Sequence, residues 1–191
     1  MYKEAIRNYV PKTEQEKIDK RLMLDFVEHN DDALYRSNLA AHMTSSAVVT
    51  NTSGNKVLFV YHNLYDSWSW VGGHNDGNPD LLEVAVKEAK EETGVKNIWP
   101  ADSRLLALDV VHVTNHYKHG EFVPDHLHLN ATYHLIADEN DRLKVKEDEN
   151  SAVQWFDIDR VLEHVDEPRM VPLYKKIFHY IKQQTKHEPS F

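Results

Sequence analysis

GGHNDGNPDLLEVAVKEAKEETG, residues 72–94, joins a glycine pair, a polar loop and a helix-period run, and the fold follows from that order. From Leu81 to Thr93 the residues Leu82, Ala85, Val86 and Ala89 recur at three- and four-residue steps, the spacing of an apolar stripe that faces a core. Asp80 is placed to cap the helix N-terminus, with Glu83 three residues on, and Gly94 is placed to end it in a left-handed conformation. Glu88, Glu91 and Glu92 stand at i, i+3 and i+4, where helical side chains are neighbours, so three carboxylates converge. Converging like charges repel, and a hard divalent cation with oxygen ligands makes such a group favourable; Mg²⁺ is the first candidate and Mn²⁺ the second. Alone, EAKEE would fit a solvated helix face with Glu-to-Lys pairs. The apolar WSWV before the glycine pair changes that reading, because it runs a buried strand into a permissive turn and then into this helix.

Set from Gly73 to Val95, the stretch resembles the Nudix box: Gly, five residues, Glu, seven residues, then Arg-Glu-apolar-x-Glu-Glu-x-Gly-apolar. Gly73, Glu88, Ala89, Glu91, Glu92, Gly94 and Val95 meet the pattern. Pro79 stands at the early Glu, with Asp80 beside it, and Lys87 stands at the Arg. Lys87 keeps a charge that can pair with Glu83 and Glu91 at four-residue spacing, but lacks the planar fork of arginine.

The resemblance implies an α/β fold, a Nudix-like α/β/α sandwich with a mixed β-sheet, over about residues 40 to 185. It also implies a Mg²⁺-dependent hydrolase that cleaves a pyrophosphate bond in a nucleoside diphosphate linked to another moiety, with water attacking phosphorus. By motif position Glu91 and Glu92 are metal ligands, Glu88 is a ligand or the carboxylate that orients and deprotonates water, and the Gly72 carbonyl completes the coordination. Many such proteins place a further Glu before a Trp-containing strand; Gln154 directly precedes Trp155 here, so Glu147 or Glu149 would have to reach in from the loop. Two other readings go with the resemblance. One is a nucleotide-binding regulator that keeps the box with little turnover. The other is an isoprenyl diphosphate isomerase, which relies on a Cys that this chain lacks.

With 191 residues and 41% hydrophobic content, the chain is expected to form one domain, 41–186, with an N-terminal helical extension, 1–40, and a frayed tail, 187–191. In the extension, Thr13 and Glu16 make a capping-box signature, and Ile18, Leu22 and Phe26 with Leu24 and Val27 form a stripe that covers the core or meets a second subunit, so a homodimer is possible. A net charge of -9 argues against a general nucleic-acid binder. Cysteine is absent, which excludes disulfides, thiolate metal sites and a Cys nucleophile. MYKEAIRNYV carries charge where a signal peptide needs an apolar run, and no stretch approaches a membrane span; a soluble cytoplasmic protein acting on a small nucleotide is expected.

Ala41 to Thr50 and Lys56 to His62 read as a hairpin joined at NTSGN, and WSWVGG as the strand that delivers the box. Leu105 to His116 and Leu127 to Ile136 read as long strands flanking the polar loop KHGEFVPD. Along the second, His126, His128, Asn130, Thr132 and His134 alternate with apolar residues, while His112, Thr114 and His116 give the first a similar polar face. Clustered histidines of this kind read as the wall of a phosphate or sugar site more readily than as metal ligands. The substrate-binding candidates are His74, Lys87, His112, His126 and His128. VQWFDIDRVLEHV reads as strand then helix, and Leu173, Ile177 and Ile181 with Tyr174, Phe178 and Tyr180 mark a C-terminal packing helix.

Overall fold

In the computed structural model, which describes residues 2–118 and 120–187, the chain begins with α1 (Tyr2–Asn8), α2 (Glu14–His29), β1 (Ala41–Asn51), β2 (Lys56–His62), β3 (Ser67–Ser69) and β4 (Val71–His74). It continues with α3 (Leu81–Thr93), β5 (Ile98–Pro100), β6 (Ala107–Val113), β7 (His116–Lys118), β8 (Glu121–Val123), β9 (His126–Ala137), β10 (Asn150–Asp157), a 3-10 turn (Val161–His164) and α4 (Val171–His187). The expected tail begins at His187, whose side chain is not described, and its remaining residues 188–191 lie outside the described residues.

β1 and β9 pair in parallel along their whole length, from Ala41 opposite Leu127 to Asn51 opposite Ala137. The other edge of β1 is shared: β2 takes it at Val49 and Thr50, and β4 takes it from Thr44 to Ala47. The other edge of β9 is shared in the same way by β6 and β5. These outer pairings are antiparallel, so the eight-stranded sheet is mixed. WSWVGG is two strands, β3 on β2 and β4 on β1, and the change of partner falls at Trp70. The stretch KHGEFVPD is more than a loop: β7 and β8 form a separate hairpin, with the Tyr117 and Phe122 rings 5.5 Å apart.

Alternation along the strands sorts two cores. Met43, Ala47, Leu129 and Ala131 face α3, where Leu81, Ala85 and Ala89 join them. Val48, Val57 and Phe59 face α4, whose Tyr174 is fully buried with its ring 5.2 Å from Phe59. The structure is thus an α/β/α sandwich. In α3, Asp80 accepts from Glu83 N at 3.0 Å and Gly94 ends the helix at φ 76°. Leu82 and Val86 are only partly buried, and the buried stripe runs instead through Leu81, Val84, Ala85 and Ala89. No helix among the described residues is long and apolar enough to cross a membrane.

The N-terminal helices contribute Ile6, Met23 and Val27 to the α3-side core. The buried stripe of α2 differs from the expected one: Glu16, Asp19, Met23 and Val27 are buried, while Ile18 is 49% and Leu22 40% exposed. Long-range polar contacts turn the helix. Glu16 accepts from Lys12 N at 2.7 Å and pairs with Lys176 of α4 at 3.1 Å, while Asp19 accepts from Val110 N of β6 at 3.2 Å. Lys176 also pairs with buried Asp109, whose carboxyl burial pushes up while Lys176 pulls it down. Lys176 therefore neutralises two buried carboxylates at the seam between the extension and the sheet.

Lys176→Met keeps the bulk of the side chain and strands both acids, so it should lower unfolding free energy by about 3–5 kcal/mol, with partial recovery on adding Glu16→Gln. Urea unfolding checks this; a change below about 1 kcal/mol, typical of a surface pair, would refute it.

Candidate active site

The site is built where β4 meets α3. A Cβ at Gly72 would fall 2.6 Å from Ser46 Cα and 2.7 Å from the Ser45 carbonyl; at Gly73 it would fall 2.7 Å from Glu88 Cδ. Only glycine lets the strand and helix approach this closely. The Gly72 N–H donates to Glu92 Oε1 at 2.8 Å. Burial pushes the Glu92 carboxyl up to about 8 against the pull of that N–H, and the charges of Glu149 and Glu88 push the same way.

Lys87 Nζ lies 3.1 Å from Glu88 Oε1 and 3.5 Å from Glu91 Oε1. It is not held by Glu83, which accepts instead from Asn78 Nδ2 at 3.1 Å. A second ammonium, Lys146, lies 4.0 Å from Glu88 Oε2, 3.7 Å from Glu91 Oε2 and 2.9 Å from Glu149 Oε2. Burial opposes the charge on Lys146, yet Glu149, Glu88 and Glu91 together hold its pKa above the ordinary lysine value. Asn150 fastens this loop to the box helix by donating to the Glu92 carbonyl at 3.3 Å. Of the two loop carboxylates considered from sequence, Glu149 is the one that these contacts bring to the box.

The donor set fits a hard divalent cation. Four carboxylates, Glu88, Glu91, Glu92 and Glu149, are the oxygen donors that could hold one, and the ammonium groups of Lys87 and Lys146 stand among them. A cavity of about 360 Å³, lined by Arg36, Lys118, Glu121, Val123 and Glu149, opens beside them. Arg36 is oriented in that wall by Asp76, its Nε donating at 2.8 Å.

The histidines occupy the other face of the sheet. Gly73 turns its Cβ position toward Glu88, so the next residue, His74, points the opposite way. There it meets His42 of β1, ring centroids 5.0 Å apart, and His128 of β9, also 5.0 Å away. His126 stacks on His42 at 4.9 Å. Burial pushes His74 down to about 3 and His128 down to about 2, with Arg36 and the neighbouring histidines adding to the effect, so both rings are neutral at pH 7. Among the five substrate-binding candidates, the structure thus joins His74, His126 and His128 to one another and Lys87 to the box carboxylates. His112 is in neither group; Arg169 Nη1 lies 3.2 Å from its Nδ1, and Asp125 lies 4.0 Å from its Nε2. His134 is buried apart from them, 2.9 Å from the Thr50 hydroxyl.

Sequence reasoning passed over His42, Lys146 and Arg36. The first belongs to the cluster only through the parallel β1–β9 pairing, which no local pattern announces. Lys146 lies in a segment whose charge reads as ordinary solvated loop, and Arg36 lies at the end of the extension expected to be helical, where no local pattern marks it.

The NUDIX domain model matches residues 41–178. Among solved structures, a Caenorhabditis elegans Ap4A hydrolase binary complex is similar at 14% identity and a TM-score of 0.54, over 74% of this chain and 98% of that one. RenU, a Nudix hydrolase from M. smegmatis, is similar at 15% identity and a TM-score of 0.51, over 78% and 89%. A NUDIX-family hydrolase from Clostridium perfringens follows at 16% and 0.50, over 72% and 96%. A comparison with curated proteins finds no match.

The two glycines should separate stability from cation binding. Gly72→Ala drives a methyl into backbone and should destabilise the fold, whereas Gly73→Ala meets only the movable end of Glu88. Gly73→Ala should therefore remain folded while losing about tenfold in Mn²⁺ affinity, as outer contacts to metal ligands generally do. Thermal unfolding and calorimetric titration check the pair; equal Mn²⁺ affinity in Gly73→Ala and the parent would show that Glu88 placement is irrelevant to the cation.

Proposed function

The chain belongs to the Nudix family, and we propose that this Nudix-type hydrolase uses Mg²⁺, replaceable by Mn²⁺, to cleave the pyrophosphate bond of a nucleoside diphosphate linked to another moiety. The observation that carries this reading is the convergence of Glu88, Glu91, Glu92 and Glu149 beside a cavity whose wall holds Arg36 and Lys118. A divalent cation held there supplies neutralisation of phosphate oxygens and activation of water.

The residues divide the remaining work. Glu88, Glu91, Glu92 and Glu149 would hold the cation, and the Gly72 N–H fixes Glu92 in place. Glu88, set by its contact with Gly73, orients the attacking water and takes its proton. Arg36 and Lys118 bind the anionic substrate from the cavity wall, Arg36 with its fork directed by Asp76. Lys87 and Lys146, within 2.9 to 4.0 Å of the carboxylates, are also placed to meet phosphate oxygens of the substrate.

A panel of ADP-ribose, sugar nucleotides, dinucleoside polyphosphates and nucleoside triphosphates, assayed with Mg²⁺ and Mn²⁺ in ¹⁸O-water, tests the proposal. Dinucleoside polyphosphates belong in it because one structural neighbour is an Ap4A hydrolase. The expected result is a phosphate-containing product carrying one ¹⁸O, with Glu92→Gln slowing turnover by on the order of a hundredfold while remaining folded. Near-normal turnover in folded Glu92→Gln would remove the chemistry from the box. Nucleotide binding with no product across the panel would make the protein a regulator instead.

A further inference from the structure

We propose that His42, His74 and His128 form a second cation site, independent of the box carboxylates, which takes a borderline first-row ion of the Zn²⁺ type through imidazole nitrogen. Each of the three offers a ring nitrogen, and these atoms all lie within 4.8 Å of one another. Ligands on a tetrahedral ion with bonds of about 2.0–2.1 Å stand roughly 3.4 Å apart, so small side-chain movements close the site.

His42 shows that the cluster has the character of a ligand set. It is buried, and its Nδ1 donates to the Asn38 carbonyl at 3.0 Å, which leaves Nε2 with a lone pair. That Nε2 is fully buried and has no hydrogen-bond partner among the described residues. A buried acceptor without a donor costs free energy, and a cation at its lone pair removes that cost. The arrangement is the one found behind metal-bound histidines, where a hydrogen bond at one ring nitrogen orients the other.

His126 repeats the pattern. Its Nδ1 lies 2.8 Å from the Pro124 carbonyl, and its Nε2 faces His128 Nε2 at 3.2 Å. His126 thus adjoins the three without being one of them, and its Nε2 can share a proton with His128.

Register makes the site preformed. His42 pairs with His128 across β1 and β9, and Thr44 pairs with His74 across β1 and β4, so three strands deliver the rings to one face. Nitrogen donors favour Zn²⁺ over Mg²⁺, the reverse of the carboxylate group across the strand. Of the cations whose charge reaches His74, Arg36 is paired with Asp76 and Lys118 acts more weakly. His74 and His128 are partly exposed, so the ion's remaining position opens outward to water or an anionic oxygen.

The test uses the full chain stripped with EDTA and titrated with Zn²⁺ by calorimetry in excess Mg²⁺, with Co²⁺ absorption as a readout of nitrogen ligation. One equivalent of Zn²⁺ should bind despite Mg²⁺, and Co²⁺ should give visible ligand-field bands. His42→Gln and His74→Gln should each weaken Zn²⁺ by about tenfold or more. Glu92→Gln and His112→Gln should leave its binding unchanged, which keeps the result separate from the fate of the hydrolase proposal. Part-exposed His74 covers the case in which His42→Gln fails to fold. Absence of stoichiometric Zn²⁺, unchanged affinity in folded His74→Gln, or loss of Zn²⁺ in Glu92→Gln would each overturn the proposal.

Discussion

The site depends on close approach: β4 lies so near to β1 that a Cβ at residue 72 would meet backbone, and so near to α3 that one at residue 73 would meet the Glu88 side chain. Everything that carries charge in the box depends on that proximity. It lets Gly72 N–H reach Glu92, and it turns the Glu88 carboxylate against the strand. Two carboxylates can therefore be nearly buried on a helix whose partners are otherwise apolar. Burial of this kind disfavours charge, which is why the Glu92 carboxyl is pushed up to about 8.

The same economy of space governs the central strands. His126, Asn130, Thr132 and His134 look like the polar side of a half-exposed strand, yet all four are buried. Much of their polarity is satisfied between strands: Asn130 Oδ1 accepts from the Thr44 hydroxyl at 2.9 Å and the Ser46 hydroxyl at 2.8 Å, while its Nδ2 donates to Thr132 at 3.0 Å. A closed network of this sort tolerates burial because each member has a partner, and it ties β1 to β9 in one register. Two histidine ring nitrogens on this face, His42 Nε2 and His134 Nδ1, are buried without a hydrogen-bond partner among the described residues.

What could be read from the chain depended on how local the deciding contacts were. The α3 helix runs from Leu81 to Thr93 as the periodicity implies, and its caps at Asp80 and Gly94 are as expected, because capping and periodicity act within a few residues. The strand positions of β1 and β2 follow for the same reason. The α2 stripe was displaced because Glu16 and Asp19 answer to Lys176 and Val110, residues far along the chain. The β7–β8 hairpin and β5 were hidden because their strands of three residues are too short to show a period. In the box the triad was legible, whereas the two ammonium groups gathered on it required knowing where the loop before β10 returns.

That return places two kinds of donor back to back. Residues 73 and 74 are neighbours on one strand, and the pleat sends one toward carboxylate oxygens and the next toward imidazole nitrogens. On the oxygen side, the ammonium groups of Lys87 and Lys146 stand 2.9 to 4.0 Å from the carboxylates. On the nitrogen side the order comes from carbonyls behind His42 and His126, at Asn38 and Pro124. A sheet can thus present two cation chemistries without mixing them, because the donors that would compete for one ion are kept apart by strand alternation and a glycine that brings the helix close on only one face.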